Sequence, residues 1–310
     1  MTISHHGPKG SRTLLAFDLN DFFQTAVFLL VCIPALLLPP RYWSSLTGTI
    51  ARLSVSLRRG RSREMKEKME RFFPGGVPGD LPVKELLKRI TARFIEEMMI
   101  YVRLAGRPNW RPNMQIEGLQ HLDTALAKGG IVLWSVNQIS CVILVRVLLK
   151  EAGYHVHHVR NWAHGPSSTG YGRRVLNPLY WRVENRYASH IVVRREGPFR
   201  ALCEISHALR DGGIVSFRGV ENSDAPVTLP LFSGRAKIAL GAPRSALCLN
   251  ASLIAVRCSS VDAENWTFTL TPVSGNGDIE PMVEEFRKLC EQAILDSPDL
   301  WPVQFRQYVT

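Results

Sequence analysis

The sequence predicts an α/β protein: a mostly parallel central sheet flanked by helices, with a membrane-associated helix at the N-terminus. Three observations lead there. From about residue 131 onward, short apolar runs alternate with amphipathic stretches of helical period, the rhythm of a parallel sheet covered by helices. A glycine turn at Gly129-Gly130 launches Ile131-Val132-Leu133-Trp134-Ser135-Val136, an almost wholly apolar segment of the kind buried on both faces of a sheet. Near the N-terminus, a continuous apolar run is followed by a cluster of cations.

Residues 1–20 are polar, broken at Gly7-Pro8, and expected to be a flexible N-terminus. Asp21 is placed to cap a helix entered by Phe22 and Phe23. Residues 26–38 form thirteen apolar positions in a row, with Pro34 among them and Pro39-Pro40 after them. That run is shorter than the roughly 20 residues a spanning helix needs. No small-residue cleavage site follows, so it does not read as a signal peptide. Two readings stay open: a buried helix of a soluble protein, or a helix inserted in or lying on a membrane. The second is favoured by Arg41, Arg52, Arg58, Arg59, Arg61, Arg63, Lys66 and Lys68, set against only Glu64 and Glu67. Cations beside an apolar helix gain about 1 kcal/mol each on an anionic lipid surface. Residues 21–60 then form the membrane segment, with Phe22, Phe23, Phe28, Leu29 and Leu37 on the apolar side and Arg58, Arg59 and Arg61 toward headgroups.

Residues 61–310 read as one α/β domain. Residues 81–104 have helical period, with Lys84, Lys88, Arg89 and Glu96 toward water and Leu87, Ile90, Phe94 and Met98 toward the core. The strand at 131–136 passes into a helix at about 139–151. Strands at 154–159 and 191–194, a helix at 198–209 and a strand at 214–217 continue the alternation. Late strands at 251–258 and 266–270 and an amphipathic helix at 281–295 close it. In such sheets ligands sit beyond the carboxyl ends of strands. Asn137, Arg160 and Arg218 to Glu221 fall there.

Composition agrees. A chain of 310 residues, 45% apolar, can bury a sizeable core. Its six cysteines lack C-x-x-C pairs and read as reduced core thiols. The net charge of +11 permits nucleic-acid binding, but no helix-turn-helix, zinc ligand set or aromatic RNA-binding strand is evident, so nucleic acid is not an expected partner. His155, His157, His158 and His164 cluster, yet no carboxylate or cysteine lies near them in sequence to complete a metal set, and none is expected. Alternation puts His155 and His157 on one strand face and His158 on the other. His207 and Asp211, one turn apart, read as a solvent-facing pair.

Several segments, in order, resemble a known family. Met65-Lys66-Glu67-Lys68-Met69-Glu70-Arg71-Phe72-Phe73-Pro74 looks like a basic helix with an aromatic–Pro stop, and Ile116-Glu117-Gly118-Leu119-Gln120-His121-Leu122 like a lead-in to the first core strand. Gly212-Gly213-Ile214-Val215-Ser216-Phe217, Leu229-Pro230-Leu231-Phe232-Ser233-Gly234-Arg235-Ala236, Gly241-Ala242-Pro243-Arg244-Ser245-Ala246-Leu247 and Ser297-Pro298-Asp299-Leu300-Trp301 follow. Together they resemble the lipid A biosynthesis (lauroyl/myristoyl) acyltransferases of the lysophospholipid acyltransferase superfamily. The resemblance implies that fold, and an enzyme at the cytoplasmic face of a bacterial inner membrane. It implies transfer of a fatty acyl chain from acyl carrier protein or acyl-CoA to a hydroxyl of a glycolipid or related acceptor, with no cofactor beyond that donor.

This chain departs from the family where the chemistry sits. The family's strand–turn–helix carries a His followed, after four residues, by Asp or Glu; here the His slot is Asn137 and the acid slot Val142. Acyl transfer to a hydroxyl needs a general base, whose removal typically costs about 10²–10⁴ in rate. None of the nine histidines has an acid five positions later. His158 and His164, near a strand end, are candidates for a relocated base. Arg160 occupies the place of a family arginine that holds the acceptor's phosphate, for which a guanidinium fork is suited; the plain alternative is a solvated loop arginine. Glu221-Asn222 lies one residue beyond the family's Asp-Gln, and is either that element shifted or polar loop. Arg218 and Arg235 complete the expected substrate-binding set, and Asn137 either donates a hydrogen bond to substrate or is an ordinary strand-end residue. Three functions remain: a divergent transferase, a catalytically silent relative that binds lipid or acyl carrier, and an interaction scaffold.

Overall fold

The computed structural model of the chain describes residues 19–160, 165, 167, 169–193, 198–219, 226–302 and 308–309. The expected flexible stretch lies outside them up to residue 18. The first helix, α1 (Leu19–Leu37), begins two residues before Asp21. Asp21 therefore sits inside the first turn instead of capping it, and is buried. Its carboxylate accepts hydrogen bonds from the hydroxyls of Ser167 and Thr169, tying the helix to a distant loop.

A 3-10 turn (Pro40–Tyr42) leads into α2 (Trp43–Leu57), α3 (Arg59–Phe72) and the long α4 (Val83–Gly106). Helices α1 and α2 both pack on α4. On α1 the inner face is Val27, Val31 and Ala35, spaced by four and buried; each valine so buried contributes about 1.5–3 kcal/mol. Its outer face leaves Phe22, Leu29, Leu30, Ile33 and Leu37 exposed, while Phe28 is half-buried against the core. The side chains of Phe23 and Arg61 lie outside the described residues. No helix among the described residues is long and apolar enough to cross a membrane. Arg103 of α4 donates to the carbonyls of Ala35 and Leu38, each at 2.5 Å, satisfying groups that a helix end leaves without intrahelical partners.

Burial on α4 departs from the single apolar stripe. Leu87 and Ile90 are buried as expected, but Phe94 and Met98 are only half-buried. Glu96, expected in water, is 4% exposed. It bonds Arg93 at 3.0 Å and Thr47 of α2 at 3.2 Å. A helix covered on more than one side buries more than one face, and here the polar residue is buried with its partners.

The chain then enters the sheet. Strand β1 (Asn113–Glu117) and α5 (Leu119–Leu126) precede β2 (Ile131–Ser135) and α6 (Cys141–Glu151). The Gly129-Gly130 turn between α5 and β2 has a steric cause. Gly129 has φ +150°, and a Cβ on Gly130 would press into the backbone at Leu209. Next come β3 (Val156–Arg160), two helices that periodicity did not forecast, α7 (Gly170–Val175) and α8 (Asn177–Tyr187), then β4 (His190–Val193), α9 (Pro198–Arg210) and β5 (Ile214–Arg218). Strands β6 (Pro226–Leu231) and β7 (Gly234–Ala239), α10 (Gly241–Cys248), β8 (Ser252–Ser260), β9 (Asn265–Pro272), α11 (Ile279–Asp296), a 3-10 turn (Pro298–Leu300) and β10 (Tyr308–Val309) complete it.

The main sheet has seven strands in the order β1-β9-β8-β2-β5-β3-β4. From β8 to β4 all neighbours are parallel. Strand β9 turns back antiparallel on β8, and β1 pairs parallel with β9, so the sheet is mostly parallel with a reversed edge. A second sheet, β10-β7-β6, is antiparallel and was not anticipated. It is joined to the main sheet where Ala239 N–H donates to Gly219 O, just past β5. The six cysteines are unpaired. Cys141, Cys258 and Cys290 are core thiols as expected, but Cys203 and Cys248 are exposed and Cys32 is intermediate.

A candidate site at the carboxyl ends of the strands

Beyond β2 the backbone makes a tight, fully anchored turn. Asn137 and Ser140 both take the left-handed conformation, at φ +62° and +63°. This costs asparagine less than most residues, because its short amide bonds locally. Val136 N–H donates to Val256 O, Asn137 N–H to Ser135 Oγ, and Ile139 N–H to Leu300 O. The Gln138 side chain clasps β8, donating to Cys258 O at 2.6 Å and accepting from Cys258 N–H at 2.7 Å. Ser140 N–H donates to the Glu97 carboxylate of α4 at 2.9 Å. Among the described residues the Gln138 N–H has no acceptor.

Glu97 thus stands at the turn where Asn137 replaces an imidazole. Its carboxyl is raised above the ordinary glutamate value of 4.5. Burial is the main cause and Glu184 adds to it, while Ser140 N–H and Arg218 oppose. A carboxyl so placed can hold or release a proton closer to neutral pH than a surface glutamate.

Below it lies a buried ionic cluster. Glu184 of α8 pairs with Arg146 of α6 at 3.4 Å and with Arg160 of β3 at 3.2 Å. The Tyr101 hydroxyl donates to the same carboxylate at 3.5 Å, and its ring packs on Tyr180 with centroids 4.2 Å apart. Burial, reinforced by Glu184 and Glu97, pushes the Tyr101 hydroxyl well up, and Tyr180 likewise. Burial depresses the Arg146 guanidinium, with Glu184 opposing. A carboxylate shared by two guanidiniums and a phenol meets the requirement that buried charge be paired.

No protein-family model matches this chain, and no curated protein is significantly similar to it. The geometry is therefore the evidence for what the site does.

Of the expected site residues, the fold brings three to one end of the sheet. Asn137 follows β2, Arg218 ends β5 and Arg160 ends β3, on three neighbouring parallel strands. Asn137 is 4% exposed, and its amide lies beside Tyr308, where it and Trp301 oppose the rise that burial gives that hydroxyl. Arg160 is engaged with Glu184, with its guanidinium 5.5 Å from the Trp181 ring. Val142, in the first turn of α6, is 6% exposed, and its carbonyl accepts from Arg146. His158 is fully buried, inward of Arg160 on the same face of β3. Arg235 is exposed on the second sheet, in register with Pro230 and Val309. His164, Glu221 and Asn222 lie outside the described residues.

Sequence reasoning missed Glu97, Tyr101, Arg146, Tyr180 and Glu184. One signal was available: Arg146 is the only charge in Cys141-Val142-Ile143-Leu144-Val145-Arg146-Val147-Leu148-Leu149, and a lone charge in an apolar helix needs a buried partner. Glu97 carried no such signal, because a second glutamate on a helix full of charges reads as solvated surface. At the other end of the sheet, His155, His157, His190 and His207 line a cavity of about 580 Å³ with Glu204 and Asp211. The face assignment of His155, His157 and His158 agrees with their burial, and His207 and Asp211 are exposed. Among the described residues no group of three or more His, Cys, Asp or Glu is arranged to hold a metal ion.

Proposed function

We propose that this protein transfers a fatty acyl chain from an acyl thioester to a hydroxyl of a glycolipid or related acceptor. The donor is acyl carrier protein or acyl-CoA, and the place is the cytoplasmic face of a bacterial inner membrane. The observation that carries the reading is the half-buried carboxyl of Glu97, hydrogen-bonded to the turn whose imidazole is missing. Glu97 takes the proton from the acceptor hydroxyl as its oxygen attacks the thioester carbonyl. The C–S bond then breaks, and the same proton goes to the leaving thiolate. The Gln138 N–H, at the start of α6, is a donor for the oxyanion between those steps, in the field of the helix N-terminus. The exposed outer face of α1, with the cations of α2 and α3, supports a bilayer-facing orientation.

A second reading, a silent relative that binds lipid or acyl carrier, is favoured by Arg160: its guanidinium is committed to Glu184 instead of to a substrate phosphate. One assay separates the two. Full-length protein in vesicles is incubated with labelled acyl carrier protein or acyl-CoA and hydroxyl-bearing lipid. Acylated product is expected, falling about 10²–10⁴-fold in Glu97→Gln. Donor binding without product would overturn catalysis and leave the binding role.

A further inference from the structure

On the α2–α4 face, away from the strand ends, lies a cavity of about 520 Å³. Its floor is neutralised within the protein: Arg93 pairs with Glu96 at 3.0 Å and with Asp299 at 2.6 Å. Asp262, also on the wall, is occupied by the N–H groups of Glu264 and Asn265. The mouth differs. Arg52, Lys88 and Arg89 converge there on a single carboxylate, Glu85, which Lys88 bonds at 2.9 Å. All three cations hold Glu85 below the usual carboxylate range, Lys88 most strongly. Three positive charges against one negative leave the mouth cationic, and neither Arg52 nor Arg89 forms an ion pair among the described residues. Beside the mouth stand exposed apolar side chains: Leu53 and Leu57 on α2, and Val261, 88% exposed, between β8 and β9.

We infer that this cavity holds the phosphate of an anionic glycerophospholipid headgroup, with the lipid's chains leaving past Leu53, Leu57 and Val261. Guanidinium groups suit phosphate because their paired N–H donors match its oxygens. The apolar flank sets a headgroup apart from free phosphate, which has nothing to place there. The inference rests on the reading that the α1–α2 face meets a bilayer, and its test separates the two ideas.

Binding of the full-length protein is measured to phosphatidylcholine vesicles with and without phosphatidylglycerol. Arg52→Ala with Arg89→Ala removes the same charge as a control pair on α3, Arg63→Ala with Lys66→Ala. The pocket pair is expected to lose about tenfold more phosphatidylglycerol-dependent binding than the control, where only diffuse attraction is lost. Glu85→Gln is expected to bind tighter, because the competing carboxylate is gone. Equal losses in the two pairs would overturn the site. Soluble glycerophosphoglycerol is the second probe, read by thermal shift. Saturable stabilisation that Arg52→Ala with Arg89→Ala abolishes supports the site even if no vesicle is bound, in which case the membrane reading alone falls. Stabilisation matched by inorganic phosphate would mean a free-phosphate site and overturn the lipid assignment.

Discussion

At Glu97 the raised carboxyl has two consequences with opposite pH senses. The folded state holds this proton more tightly than the unfolded chain does. Its contribution to stability is therefore complete below the ordinary glutamate value of 4.5 and is lost as pH rises through the folded-state value. Catalysis by the carboxylate runs the other way, rising over the same window. Turnover should thus climb where stability declines, and Glu97→Gln should flatten both curves. Urea midpoints and initial rates from about pH 5 to 8 test this; a pH–rate profile unchanged by the substitution would remove Glu97 from the proton path. Glu184 makes a separate case. It is fully buried between Arg146 and Arg160, so Glu184→Gln leaves Arg146 charged and without its partner in the core. A loss of about 3–5 kcal/mol in the free energy of unfolding is expected by urea denaturation. A loss below 1 kcal/mol would show that the cluster is hydrated.

Among the elements, β5 and α11 meet the site most closely. Phe286 of α11 stacks on Trp134 of β2 with centroids 3.7 Å apart and planes inclined by 7°. The same ring closes over Gly219, where a Cβ would overlap it and lie 2.7 Å from Ser135 O. Gly219→Ala should therefore push α11 from the strand ends. The expected cost is about 1–3 kcal/mol, with a fall in thermal midpoint. An unchanged midpoint would mean that α11 shifts without penalty. Here sequence and structure part in an instructive way. Strand β2 and helix α6 are where the alternation puts them, because apolar period is a local property of neighbouring residues. Helices α7 and α8 were not anticipated, although α8 supplies Glu184, because Asn177-Pro178-Leu179-Tyr180-Trp181-Arg182-Val183-Glu184 has no clear apolar stripe. Their shape depends on partners: Asn177 bonds both backbone groups of Ser167, and Thr169 caps α7 through Gly172 N–H.

Across the whole molecule, the two faces of α1 divide its work. Val27, Val31 and Ala35 cover α4, so removing residues 1–40 would strip core as well as surface, and truncation is not a clean test of membrane binding. Leu29→Ser with Ile33→Ser changes only the outer face. Vesicle binding should fall while the thermal midpoint stays the same, and binding of the unaltered protein should weaken with salt, since exposed charges are screened beyond about 10 Å at 0.1 M ionic strength. Retained flotation by the double variant would place the membrane contact elsewhere.

The sequence by itself determined the α/β class, the parallel run of strands, and the end of the sheet at which Asn137, Arg160 and Arg218 gather. Each of these follows from apolar period and strand polarity, which are written in consecutive residues. Only the tertiary structure decided that Glu96 is buried, that Asp21 anchors a loop, and that Glu184 joins Arg146 to Arg160. It alone set Glu97 beside Ser140, 43 residues further along the chain. The reason is that a charge's role depends on which distant partner and how much water surround it, and neither is encoded by its neighbours in sequence.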